Sequence, residues 1–298
     1  GTSWFRQGMS NLGYTAGIDV EYVILNANGN QDQAHDQLKT ELAQARPDLV
    51  VSVATLASRS ARSLLQGTDI PQVFFIVSDP VNEGFVDQLG DKSGSNLTGR
   101  THSIPAETKL NVVTQILSTR KDKKVWRIGI LHSTYPSSLS DTQKLLSASA
   151  NFPSIRFSDL SFEYRENDRD RTQMHADALA LLADNIDDLD AVWLPQGPLG
   201  SDMEFVKALT ATGVPVLYTS DINAPKQGAL LALVSDARVN GLAAASIADA
   251  ILKGRPAGDI PVTRTEDYAI SINVTTALKL RTIIPSSLLE VAGRNVHK

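Results

Sequence analysis

Hydrophobic positions along this chain switch repeatedly between two periods. Short continuous apolar runs, the mark of strands buried on both faces, give way to stretches with a 3.6-residue apolar stripe. Residues 20–25 read as a strand. Residues 31–45 read as a helix with Ala34, Leu38, Leu42 and Ala45 on one face. Strands follow at 49–54 and 73–77 with a helix between them, then a shorter strand at 97–102 and a proline-started helix at 105–117. A second series opens with the strand RIGIL at 127–131. Strands at 155–162, 191–194, 214–218 and 228–234 alternate with helices at 137–150, 171–183 and 202–210. A helix at 239–252, closed by Gly254, and a strand at 269–272 complete the pattern.

Strands alternating with helices of this length predict parallel sheets, and two series predict two lobes. We place residues 1–102 with 236–258 in the first lobe, and 103–235 with 259–298 in the second. The fold class is α/β, two Rossmann-like lobes joined by hinge crossings. The chain opens in a helix, residues 4–12, with no strand before it. In an open α/β lobe a first strand normally sits near the sheet centre, so we expect a chain that starts late through truncation. Residues 163–171, EYRENDRDR, form the most charged stretch and are expected to be an exposed loop.

Composition narrows the function classes. A chain of 298 residues, 42% of them hydrophobic, can bury two cores. The net charge is −5 and no basic stripe appears, which argues against nucleic acid as a partner. The one dense basic run, Arg120 to Lys124, reads as a solvated connection between a helix and a strand. Cysteine is absent, so disulfides, thiolate catalysis and thiolate zinc sites are excluded. No window of about 18 apolar residues predicts a membrane span, and no signal peptide is visible.

The chemistry sits at strand ends. The run at 49–54 stops at Thr55, and the run at 73–77 stops at Ser78-Asp79-Pro80. Polar residues there describe the rim of an open sheet, where such folds bind small ligands. Thr55 and the backbone N–H groups of Leu56 and Ala57 lie where a helix begins, a setting that favours an anion. A structural role for Thr55 as its own helix cap is the competing reading. In the second series Ser133, Tyr135 and Ser137 follow RIGIL, Gln196-Gly197 follow AVWLP, and Ser220-Asp221 follow VLYT. Asp236 reads as a helix cap. Catalysis finds no support. His35, His102, His132, His175 and His297 are scattered without metal-ligand spacing. No glycine-rich nucleotide loop and no nucleophile elbow occurs. No catalytic residue, metal or cofactor is expected.

Several words together carry a resemblance. They are GMSNLGYTAG at 8–17, PDLVVSVAT at 47–55, IPQVFFIVSDPVNEG at 70–84 and Asn96-Leu97-Thr98-Gly99. Others are GLAAASIADAILKG at 241–254 and IPSSLLEVA at 284–292. In this order they resemble the substrate-binding proteins of ABC transporters with the type I periplasmic-binding fold. Within that group the chain is similar to a branch whose members bind tryptophan, tyrosine or phenylalanine. The resemblance implies two lobes with three crossings and a ligand cleft between them. It implies a periplasmic or extracytoplasmic protein, lipid-anchored in its precursor, with an ABC permease and an ATPase as partners. It also implies a small-molecule ligand, an aromatic or other hydrophobic amino acid. The ligand carboxylate would then meet Thr55, Leu56 and Ala57, and its ammonium Asp221 in preference to Asp79. Asp79-Pro80 has a competing reading as a turn. A ligand-sensing domain of a receptor or regulator on the same fold is the alternative function. A repressor of that kind would carry an N-terminal DNA-binding segment of about 50 residues.

Overall fold

The computed structural model describes residues 2–165 and 171–298. Its first elements are α1 (Thr2–Asn11), α2 (Gln31–Gln44), β1 (Val50–Val53), α3 (Thr55–Leu65), β2 (Gln72–Val77) and β3 (Leu97–Thr101). Next come α4 (Ala106–Leu117), β4 (Trp126–Ser133), α5 (Pro136–Ser149), β5 (Ile155–Phe162) and α6 (Arg171–Ala183). They are followed by β6 (Ala191–Trp193), α7 (Met203–Ala211), β7 (Val216–Thr219) and β8 (Leu231–Ser235). The chain ends in α8 (Ala237–Leu252), β9 (Thr263–Arg264), β10 (Tyr268–Asn273), α9 (Val274–Lys279), α10 (Ser286–Ala292) and β11 (Val296–His297). The described residues form two compact units. One holds 2–103 and 235–267, the other 104–165, 171–234 and 268–298.

The first unit is built on a parallel sheet in the order β1-β2-β3-β9. Val73, Phe74, Phe75 and Val77 of β2 are buried completely, as a parallel strand covered on both faces requires. One cover is the crossing of α1 and α8, where Phe5, Met9, Ala244, Ala245 and Ala248 cluster with Phe75. The crossing is close because both helices carry glycine at the contact. A Cβ on Gly8 would lie 2.6 Å from the Cβ of Ala245, and one on Gly241 would lie 2.5 Å from the Cβ of Trp4.

Two expectations are corrected here. Residues 20–25 do not form a strand. Val20 makes a single bridge to Ala16, while Val23, Ile24 and Leu25 are exposed. The run has strand composition, but among the described residues no strand lies beside it to complete a ladder. β1 is an edge strand of the sheet, next to β2. The domain boundary near 258 also shifts. β9 pairs with β3, and Thr98 Oγ1 donates to the Ile260 carbonyl at 2.8 Å, so residues up to 267 group with the first unit.

The second unit carries seven strands in the order β11-β10-β8-β7-β6-β4-β5. The ladders of β4 with β5 and β6, of β7 with β6 and β8, and of β10 with β11 are parallel. The chain steps outward from β4 to β5, then returns to lay β6 on the other flank of β4. The strand order therefore reverses between β4 and β6. One face packs Ile128, Ile130, Trp193, Leu217 and Ile272, and a second cluster holds Leu131, Val192, Phe205 and Leu209. The short β11 and the helix α10 lay outside the sequence pattern, which ended at residue 272. Of the charged stretch 163–171, residues 166–170 lie outside the described residues.

Asp202 shows how a helix start is secured. Its Oδ1 accepts from the N–H groups of Glu204 and Phe205 at 3.1 and 3.2 Å. Its Oδ2 accepts from Arg171 Nε at 2.7 Å and from His175 Nε2 at 2.8 Å. Burial works against the charge, but the Phe205 N–H, Arg171 and His175 outweigh it and hold the carboxyl below its usual value.

Two outcomes follow. Gly8→Val should pry α1 from α8 and cost roughly 1–3 kcal/mol by overpacking, read as a lower urea midpoint. Asp202→Asn should cost about 1–2 kcal/mol at neutral pH. A carboxyl with a depressed folded pKa stabilises above its unfolded value of about 3.9, and that contribution is lost as pH falls through the folded value. Urea midpoints of the two proteins should therefore separate at pH 7 and converge in strong acid. Parallel midpoints across the range would refute this role for the carboxylate.

Candidate functional site

A ligand crevice in an open α/β sheet forms outside the strand C-termini where the strand order reverses, because the two connections leave in opposite directions. In the second unit that point lies between β4 and β6. β4 ends at Ser133, which is buried, and the chain turns through Tyr135 into α5. Pro136 sits in the first turn of α5, and the N–H groups of Ser138 and Leu139 close onto the Tyr135 carbonyl at 2.9 and 3.0 Å. The first turn of α5 carries no acidic residue, and Ser137 and Ser138 are buried within it. The Tyr135 ring meets Tyr164 edge-on, with centroids 4.8 Å apart. Thr134 ties the ends of β4 and β5. Its N–H donates to the Phe162 carbonyl and its hydroxyl accepts from the Tyr164 N–H, both at 2.8 Å.

β6 ends against the same helix start. The Gln196 N–H donates to Asp141 Oδ2, one turn into α5, at 2.9 Å. Gly197 lies flat on α5, and a Cβ there would fall 2.0 Å from Ser138 Oγ. The structure thus brings Ser133, Tyr135, Ser137, Gln196 and Gly197 to one rim. Ser220 and Asp221 are placed differently. Ser220 Oγ is buried without a hydrogen-bond partner among the described residues. It sits under the turn after β6, where a Cβ on Gly200 would approach it at 3.1 Å and the Pro195 carbonyl at the same distance. Asp221 spends Oδ1 on its own loop, accepting from the Asn223 N–H at 2.8 Å.

The first unit has a rim of its own at the ends of β1 and β2. Thr55 is not the cap of α3. Ala54 occupies that position, and it offers no side chain to the helix. The first intrahelical bond runs from Ser58 N to the Ala54 carbonyl, so the N–H groups of Thr55, Leu56 and Ala57 lack helical acceptors. Ala54 holds φ 70° and ψ 164°, a region suited to glycine, and thereby aims the helix start. Thr55 and Leu56 are buried and Ala57 is half-buried.

At the end of β2, Ile76 also has a positive φ, 61°, where the register with β3 shifts. Ser78 is buried, and its carbonyl accepts from Thr101 Oγ1 at 3.0 Å. Asp79 opens a turn, with Oδ1 accepting from Asn82 N at 3.2 Å and its carbonyl accepting from Glu83 N at 3.0 Å. Glu83 in turn holds Arg59 of α3 through a two-pronged ion pair, one arm at 2.8 Å.

Sequence reasoning missed the groups beneath these rims. Lys109 of α4 and Asp141 of α5 form an ion pair, each side chain 2% exposed. Neither lies next to a strand end, and no spacing in the sequence pairs them. Among the described residues no group of His, Cys, Asp and Glu could hold a metal, and no helix is long and apolar enough to cross a membrane.

Hydroxyls, backbone N–H groups and an aromatic ring thus gather at the ends of parallel strands in an α/β protein. The profile of the family described as "ABC transporter substrate binding protein" matches residues 2–296, and the chain belongs to that family. It is accordingly a solute-binding protein and not an enzyme. Its place is extracytoplasmic, and its partners are a small-molecule ligand and the permease and ATPase of an ABC transporter.

A curated "Tyrosine-binding protein" from Clostridioides difficile (strain R20291) is 25% identical over 274 residues, covering 91% of this chain and 74% of the relative. Among solved structures, a conserved domain protein from Vibrio cholerae O1 biovar eltor str. N16961 superposes with a TM-score of 0.82 at 24% identity. It covers 100% of this chain and 94% of that one. An ABC domain in complex with L-Trp from Streptococcus pneumonia gives 0.82 at 22% identity, covering 98% and 92%. These likenesses place the fold with the type I periplasmic-binding proteins.

Strain at the first rim is open to measurement. Ala54→Gly relieves the positive φ and should stabilise the protein by about 1 kcal/mol, seen as a higher Tm. An unchanged or lower Tm would show that Ala54 sits without strain.

Proposed function

We propose that this protein captures an aromatic amino acid for import by its ABC transporter. The reading is supported most by the Tyr135–Tyr164 pair, which stands edge-on where β4 and β5 end, beside the start of α5. An aromatic side chain stacks well against such a pair. The curated relative named for tyrosine and the related structure with L-Trp support the same class. In this reading the uncapped N–H groups of Thr55, Leu56 and Ala57 receive the ligand carboxylate, and the Thr55 hydroxyl adds a donor. Gln196 and Gly197 contribute polar contacts at the second rim. Asp79 and Asp221 each have Oδ1 engaged in a local turn, at 3.2 and 2.8 Å, and in this reading the ammonium meets Asp221 in preference to Asp79.

Calorimetric titration of refolded protein with tyrosine, tryptophan and phenylalanine, against aspartate, lysine and arabinose, tests the proposal. Binding confined to the aromatic set is the expected outcome, and binding of arabinose or of no aromatic acid would overturn it. Thr55→Val keeps the shape and the N–H groups but removes the hydroxyl. It should weaken the bound aromatic acid about 10-fold, the worth of one hydrogen bond to a charged group. An unchanged Kd would move the carboxylate anchor elsewhere.

A further inference from the structure

The buried pair of Lys109 and Asp141 has no part in any contact described for the ligand, yet it lies directly beneath the second rim. Both side chains are 2% exposed. Burying two charges is expensive, and well-packed apolar residues in their place are often neutral or stabilising for the fold. Stability alone is therefore a weak reason for the pair. Its surroundings give a better one. Asp141 Oδ1 takes Lys109, while Oδ2 takes the Gln196 N–H at 2.9 Å. The Lys109 ammonium also stands 5.7 Å from the centre of the Tyr218 ring, which stacks on Trp193 of β6 at 4.4 Å. Tyr218 is fixed by its own hydroxyl, which donates to the Leu233 carbonyl at 3.0 Å. Burial first, and the Asp141 charge second, keep that phenol neutral by raising its pKa well above the usual range.

We propose that Asp141 is a positioning residue for ligand binding, with Lys109 as its neutralising counter-ion: together they fix the Gln196–Gly197 turn against α5. The connection after β6 runs from residue 194 to 202 and leaves the sheet at the reversal point, once the Leu194 N–H has bonded the Tyr218 carbonyl of β7 at 3.0 Å. Gly197 supplies the close approach to Ser138, but contact alone does not set the orientation of a peptide plane. A carboxylate aimed at the Gln196 N–H does. A neutral acceptor in a neutral site would do the same, so the acceptor, and not the charge, is what the turn requires. This inference rests on the ligand reading above only for its affinity arm.

Two double variants separate the acceptor from the charge. K109M/D141N removes both charges and keeps an oxygen facing the Gln196 N–H. K109M/D141L removes the acceptor as well at similar volume, and K109M/D141A replaces it should the leucine variant fail to fold. Hydrogen exchange of the segment 194–201 is read alongside the Kd for the aromatic ligand and the urea midpoint. Exchange of that segment should match the wild type in K109M/D141N and quicken about 10- to 100-fold in the variant without the acceptor, the span expected for losing a charge-assisted hydrogen bond. The Kd should rise about 10-fold or more in that same variant only. Wild-type exchange and affinity in both variants would overturn the proposal. Equal loss in both, in step with a lower midpoint, would overturn it too, because the pair would then act through stability. If the wild type binds no aromatic acid, the ligand reading fails, and the exchange of 194–201 still decides whether Asp141 positions the turn.

Discussion

Every consecutive strand of a parallel sheet must be reached by a crossover that brings the chain back to the same starting edge. That single constraint sets the form of both units. It places a helix in most of the connections, and it lines up the C-termini of the parallel strands of a sheet along one rim. It also requires apolar cover on both faces, which is why β2 and β4 read as unbroken apolar runs. The second unit adds one further choice. After β5 is laid on one flank of β4, the next strand goes to the other flank. The connections that leave β4 and β6 then diverge, and the residues that follow those strands have room to meet a solute.

The two rims reach order by a shared device with different chemistry. In each unit a charged side chain about one turn into the helix after the first rim strand reaches the connection after another. In the first unit Arg59 of α3 grips Glu83, beyond β2. In the second, Asp141 of α5 accepts from Gln196, beyond β6. The difference lies in burial. Arg59 remains partly exposed, so its pair contributes modestly and is screened by salt. Asp141 is enclosed and needs Lys109 to keep its charge tolerable. Helix starts and neighbouring turns are thus locked together before a ligand arrives, and a preorganised rim loses less entropy on binding.

The alternating pattern made the parallel sheets, most helices and the rim positions legible before any coordinates. Ser133, Tyr135, Ser137, Gln196 and Gly197 were recognisable because each follows an apolar run, and the fold does bring them together. What stayed hidden has physical causes. The run at 20–25 has the composition of a strand, but a strand exists only with a partner, and composition does not report the partner. The competing reading of Thr55 as a helix cap rests on the preference of threonine for caps; the backbone instead places Ala54 there, at a φ that no propensity predicts for alanine. Ser220 follows a strand like the others, yet the turn through Gly200 covers its hydroxyl. Lys109 and Asp141 sit in different helices, 32 residues apart, and only packing makes them neighbours.

The same logic explains why the two rims divide their chemistry. A rim that relies on backbone N–H groups needs the helix start aimed with accuracy, and the first unit obtains this from the unusual φ of Ala54 in place of a side-chain cap. A capping side chain would have satisfied those N–H groups and closed the position to an anion. The second unit has an ordinary helix start, with Pro136 presetting the first turn and Tyr135 free of backbone strain. It can therefore give its specificity to side chains, provided the turn that carries Gln196 is held still. Strain at Ala54 and a buried charge at Asp141 are both costs to stability. Each falls at the place where a relaxed alternative would leave the rim capped or the turn loose, which is what the proposed binding reading requires of both.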